Sequence, residues 1–159
     1  MAIRSLFPAV VGAVVLSLVP GCGGSPAAPA QTLTLSGTWT GTSLDPQGSA
    51  ALTLVLTQTG SAIAGSVAMK AIDDSTAPRN DCAACHKNKP GTVSGTLSGT
   101  TLALVMLFPS GDKADVTPAC SFKIDGSALN VTSGSVTGTY AGGDSCEGEF
   151  TDGALRLSR

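Results

Sequence analysis

The sequence predicts an all-β domain, an antiparallel up-and-down meander of about 8–10 strands that closes into a small barrel. Two observations predict it. Apolar residues recur at every second position through most of residues 50–158, and glycine- and serine-bearing turn signals separate the runs. No apolar period of 3.6 residues persists over ten residues, so no amphipathic helix is expected. Composition agrees, because Gly (20 residues), Ser and Thr abound while Lys and Glu are few. Such chains suit twisted strands and tight turns better than helices.

The runs can be taken in order. Leu52, Leu54 and Leu56 share one face, with Thr53, Val55 and Thr57 on the other. Ile63, Val67 and Met69 follow. Leu102, Leu104, Met106 and Phe108 form a third set, and Cys120, Phe122 and Ile124 a fourth. Leu129 with Val131, Val136 with Tyr140, and Leu155 with Leu157 complete the series. A period of two places one face of each strand in the core. Gly60-Ser61, Ser98-Gly99, Asp125-Gly126 and Asp152-Gly153 read as hairpin turns.

A short element recurs as Ser36-Gly37-Thr38-Trp39-Thr40-Gly41, Ser94-Gly95-Thr96-Leu97-Ser98-Gly99 and Thr137-Gly138-Thr139-Tyr140-Ala141-Gly142. We read it as convergence on strand chemistry. Glycine within a strand marks strong coiling, which favours closure into a barrel.

The chain begins with features of export. Arg4 and the terminal amine give a positive start, and Leu6 to Val19 runs without charge. About 14 residues suit a signal-peptide core and fall short of a bilayer of ~30 Å. Val19-Pro20-Gly21-Cys22 follows. It resembles the lipobox of bacterial lipoproteins, with Pro20 departing from the family's small residue. The resemblance implies a signal peptide over 1–21, lipidation of Cys22, a lipid anchor, and a place in the bacterial cell envelope. Gly23 after the Cys implies the outer membrane where a cell has two. Five cysteines leave one unpaired, and acylating Cys22 leaves four. Residues 22–31 form a Gly-, Pro- and Ala-rich tether, and 32–159 the β-barrel domain.

Gly37-Thr38-Trp39 near the start of a β-meander is similar to the opening of the lipocalin and avidin barrels. The whole domain also resembles a set of uncharacterised bacterial lipoproteins. These open on a Gly-Thr-Trp-x-Gly strand and close on segments like Gly138-Thr139-Tyr140-Ala141-Gly142 and Cys146-Glu147-Gly148. The resemblance implies a small barrel that takes a small apolar ligand at its mouth. Trp39 and Tyr140 are candidates to line a ligand cavity, against the plainer role of core aromatics.

Composition narrows the function classes. The formal charge is −2, and removal of residues 1–21 leaves eight basic against eleven acidic residues. Nucleic acid, which calls for basic patches, is not an expected partner. The carboxylates Asp45, Asp73, Asp74, Asp81, Asp112, Asp115, Asp125, Asp144, Glu147, Glu149 and Asp152 fall mostly in expected turns and loops. We read them as solvated. Asp144, Glu147 and Glu149 cluster beside Cys146, where a cation site competes with a solvated rim. With a single His and no Gly-rich loop before a helix, no catalytic residues are assigned, no metal site is assigned, and the chain reads as non-enzymatic.

The remaining cysteines fall into two settings. Cys120 and Cys146 lie in strand patterns and are expected to pair in an oxidising compartment. Cys82 and Cys85 lie in a polar insertion at 70–91 that interrupts the meander. Cys82-Ala83-Ala84-Cys85-His86 has the spacing of a covalent haem c attachment site, two thiols for the vinyl groups and a His for the iron. Its flanks are charged and carry no helical apolar face. A local Cys82–Cys85 disulfide, a haem-bearing redox site, and a metal or redox switch all stand open. The function expected is a membrane-anchored lipoprotein that binds a small apolar ligand or serves as an envelope interaction module. A c-type haem redox protein is the alternative.

Overall fold

The computed structural model describes residues 33–72, 87–110 and 120–159. Eight antiparallel strands follow one another and close into a barrel. They are β1 (Gly37–Asp45), β2 (Gly48–Thr59), β3 (Ala62–Ala71), β4 (Lys89–Ser98), β5 (Thr101–Phe108), β6 (Phe122–Val131), β7 (Ser135–Asp144) and β8 (Gly148–Ser158). Each strand pairs with the next, and β1 pairs with β8 from Thr40↔Ser158 to Leu44↔Ala154. Among the described residues there is no helix.

Alternation builds the core as the sequence predicts. Leu52, Leu54 and Leu56 of β2 are buried, and so are Leu102, Leu104, Met106 and Phe108 of β5. Ile63, Val67, Met69, Phe122, Ile124, Leu129, Val131, Val136, Leu155 and Leu157 join the same cluster. Thr53, Val55 and Thr57 face outward. Eight strands leave a bore just wide enough for side chains to fill.

The two ends of the barrel differ. At one end, short connections join β2 to β3, β4 to β5 and β6 to β7. Gly60 and Gly99, with φ near +60°, open the two-residue turns there. We call this the tight-turn end. The first and last described residues, Leu33 and Arg159, lie here. Leu35 is buried, and its backbone N–H donates to Gln58 Oε1 at 2.7 Å. The Trp39 indole N–H donates to the Leu35 carbonyl at 2.8 Å, and the Arg159 guanidinium lies over the Trp39 ring. The opposite end gathers the turn after Asp45, the turn at 145–147, and the strand ends Ala71, Lys89, Phe108 and Phe122. This is the loop end.

Some local expectations need correction. Asp125-Gly126 and Asp152-Gly153 are not turns but lie within β6 and β8. A Cβ at Gly126 would meet Leu129 Cδ1 at 2.9 Å, so glycine there admits a core side chain. The expected insertion at 70–91 is shorter, because β3 runs to Ala71 and β4 starts at Lys89. Lys89 hides the start of β4 from a hydrophobic pattern because it faces inward, with 3% exposure. Cys146 lies in the turn between β7 and β8, and Cys120 two residues before β6.

Candidate functional site

The inward face of β1 reads Trp39, Gly41, Ser43, Asp45. Period-two geometry therefore turns an Asp into the barrel at the loop end. Asp45 is 7% exposed and Lys87 fully buried. Lys87 Nζ donates to Asp45 Oδ1 at 2.7 Å, Asp45 Oδ2 at 2.6 Å and the Gly48 carbonyl at 2.8 Å. These three acceptors match the three ammonium donors. The Tyr140 hydroxyl donates to Asp45 Oδ2, and the Gln47 backbone N–H to Asp45 Oδ1. The carboxylate is thus met from three directions, by the β1–β2 turn, by β7 and by the segment before β4. Buried charges persist in a fold only when paired in this way.

The same groups shift their proton affinities. Desolvation lowers the pKa of Lys87, opposed by the nearby Asp45 carboxylate. Desolvation, and then Asp45, raise the pKa of Tyr140 well above the usual phenol range. Aromatic rings pack around the group. Phe108 and Phe122 centroids are 5.9 Å apart, Phe122 and Phe150 6.2 Å, and Phe150 meets Tyr140 edge-on at 5.7 Å. Lys87 Nζ lies 5.2 Å from the Phe122 centroid. A polar plug and an aromatic layer close the loop end of the bore.

Beside the plug, the Sγ atoms of Cys120 and Cys146 stand at disulfide distance, with Cα atoms 5.8 Å apart. The pair ties the start of β6 to the β7–β8 turn. Ser121 and Ser145 reinforce it through a backbone hydrogen bond at 3.0 Å. Asp144 Oδ1 accepts the backbone N–H groups of Cys146 and Glu147, each at 2.6 Å. Asp144 is buried. The expectation that the carboxylates are solvated therefore fails at Asp45 and Asp144, which are buried and accept hydrogen bonds from the chain. The Cys120, Cys146 and Asp144 ligand atoms lie within 4.8 Å of one another. Thiolate is the metal-binding form of cysteine, and sulfurs bonded to each other do not supply it.

A groove of about 920 Å³ opens on the outer wall of β4–β8 at this end. Leu107, Lys123, Ala141, Gly143, Glu149 and Thr151 form its walls, and Pro109, Ser121 and Ser145 its rim. Phe108, Phe122 and Phe150 back it from the core side. Lys123 Nζ pairs with Asp125 Oδ2 at 2.8 Å within it.

The sequence-predicted candidates fall out as follows. Trp39 and Tyr140 are core residues with 0% and 2% exposure, and their polar atoms engage Leu35 and Asp45 at different ends of the barrel. They do not line a shared cavity. Cys120 and Cys146 come together as expected. Cys22, Cys82, Cys85 and His86 lie outside the described residues. The described neighbours of the insertion, Ile72 and Lys87, both stand at the loop end. The Asp45–Lys87–Tyr140 group was not foreseen. Its one legible signal is the inward phase of β1, which reaches Asp45 two residues at a time from Trp39.

Comparison with protein-family models, with curated proteins and with solved structures gives no match.

Proposed function

We propose that this protein is a non-enzymatic, lipid-anchored envelope module whose barrel is a solid scaffold and whose contacts are made on its outer surface at the loop end. The closed bore carries this reading. Trp39, Leu54, Met106, Ile124 and Leu129 have no exposed surface, so no water-sized void opens beside them. The Asp45–Lys87–Tyr140 group and three packed phenylalanines occupy the loop end of the same bore. An apolar ligand held inside would have to displace a fully paired buried ion group, which costs several kcal/mol. Binding is easier outside, where the groove lies.

The anchor reading rests on the Val19-Pro20-Gly21-Cys22 segment. The described barrel starts at Leu33 on the tight-turn end, and the groove and the disulfide lie at its loop end. Two acyl chains or more on Cys22 would suffice for stable anchoring, since each buried CH₂ contributes ~0.8 kcal/mol.

The test is expression of the full chain in a bacterium that processes lipoproteins. The mature protein should fractionate with membranes and begin at an acylated Cys22 by intact mass. Cys22→Ala should move it to the soluble fraction. A chain that stays soluble and unacylated would overturn the anchor, whatever the groove does.

A further inference from the structure

We infer that the groove on the wall of β4–β8 is a binding site for a small apolar ammonium ion. This deepens the reading of the barrel as a surface-binding module and rests on it.

Size and edge chemistry favour a small molecule. The groove measures about 920 Å³, within the range of roughly 300–1,000 Å³ typical of small-ligand sites. A peptide added as an extra strand needs an unpaired sheet edge. This barrel has none among its described strands, because β1 and β8 pair with each other. What the wall offers instead is side-chain surface.

That surface is apolar with an acidic bias. Leu107, on the outward face of β5, is an exposed apolar side chain at 49%. Pro109 and Ala141 continue the apolar lining, and Phe150 backs it. Three carboxylates, Asp125, Asp144 and Glu149, line the groove against one ammonium, Lys123. Lys123 is already paired with Asp125 at 2.8 Å. Asp144 is committed to the turn at Cys146 and Glu147. Glu149 is exposed on the outward face of β8. Register places it opposite Gly143, which is opposite Lys123, which is opposite Leu107. One transverse row therefore runs from Leu107 past Lys123, whose charge is met by Asp125, and across a glycine that leaves the floor low to the Glu149 carboxylate. A molecule with an apolar body and a cationic head matches that order. An anionic head would meet the carboxylate excess.

The experiment uses the full-length chain bearing Cys22→Ser, labelled with ¹⁵N. It is titrated with 4-phenylbutylammonium and, separately, with 4-phenylbutyrate, which has a similar body and the opposite charge. The ammonium should give saturable shifts at the amides of Lys123, Gly143 and Glu149. It should bind about ten-fold more tightly than the carboxylate. Glu149→Gln should weaken the ammonium about five-fold with the rest of the spectrum unchanged. Thr151→Trp, at an exposed position, should fill the groove and abolish the shifts. The absence of saturable shifts overturns the site. Equal binding of the two probes, or a Glu149→Gln variant that binds as the parent does, overturns the assignment of an ammonium. Neither result touches the membrane fractionation that tests the anchor.

Discussion

Gly153 lies directly beneath the ring of Tyr140. A Cβ built at position 153 would come 2.6 Å from Tyr140 Cε1, well inside contact distance. The two residues oppose each other across β7 and β8. Glycine at 153 therefore lets the phenol lie flat and reach Asp45. Gly153→Ala should push the ring away from the carboxylate. The expected loss is about 2 kcal/mol of stability, the scale of overpacking in a dense core. Urea unfolding of the variant checks it, and Gly60→Ala is no control because φ there is positive.

Asp45 and Lys87 should show strong coupling. Asp45→Asn alone leaves the Lys87 ammonium buried with only a neutral partner and the Gly48 carbonyl. That change should cost about 3–5 kcal/mol. Lys87→Met removes the cation but leaves Asp45 with the Tyr140 hydroxyl and the Gln47 N–H, so it should cost less. The double variant should recover a kilocalorie or more relative to the sum of the singles. Additive losses in a double-mutant cycle would deny that the two form one unit.

Tyr140 is the one tyrosine in the chain, so its ionisation can be read without interference. Its pKa is raised in the fold by desolvation and by Asp45. The folded state then keeps a proton that the unfolded chain loses above about pH 10. Stability from this group is present below that value and falls as pH rises beyond it. Lys87 acts in the opposite sense, because its pKa is lowered. Between its folded value and about pH 10.4 the unfolded chain holds the extra proton, and that contribution grows with pH. Ultraviolet absorbance should show no tyrosinate until the protein unfolds in alkali. Tyrosinate that forms while near-ultraviolet circular dichroism stays native would contradict the buried phenol.

The fold was legible because the barrel is built from its own side-chain alternation. Leu52-Leu54-Leu56 and Leu102-Leu104-Met106-Phe108 each announce a strand and its inner face. The site was less so, for a physical reason. Period two assigns a face but does not say which polar residues on that face are paired. Asp45 and Lys87 are 42 residues apart in sequence, and only ring closure brings them together. Glycine misled in a similar way. Asp125-Gly126 and Asp152-Gly153 resemble hairpin turns, yet these glycines admit Leu129 and Tyr140 side chains from neighbouring positions. Lys89 carries the same lesson, since its inward side chain donates to the Cys120 carbonyl and disguises a strand as a loop.

The Cys120–Cys146 pair should contribute to stability through the loop it closes. The separation is 26 residues, which corresponds to about 3–4 kcal/mol in the chain-entropy description. Replacing both residues by Ser should lower the denaturation free energy by that order. The β7–β8 turn should also exchange amide hydrogens faster, because Asp144 and Ser121 would hold it alone. A double Ser variant as stable as the parent would show that the Ser121–Ser145 and Asp144 hydrogen bonds suffice.

The state of Cys82 and Cys85 is decided by mass. We expect the exported protein to carry these two thiols as a disulfide, alongside Cys120–Cys146. The spacing of two intervening residues closes a small ring, and small strained rings reduce more easily than long ones. Mild dithiol treatment should therefore free two thiols first, and stronger treatment the other two. Alkylation and peptide mapping should assign the early pair to Cys82 and Cys85. In a host that matures c-type haem, covalent haem at Cys82 and Cys85 would instead add its mass and a Soret band that survives denaturation. That result would replace the scaffold reading with a redox one, with His86 as the axial ligand. Two disulfides that resist reduction equally would remove the distinction between the insertion's pair and the barrel's.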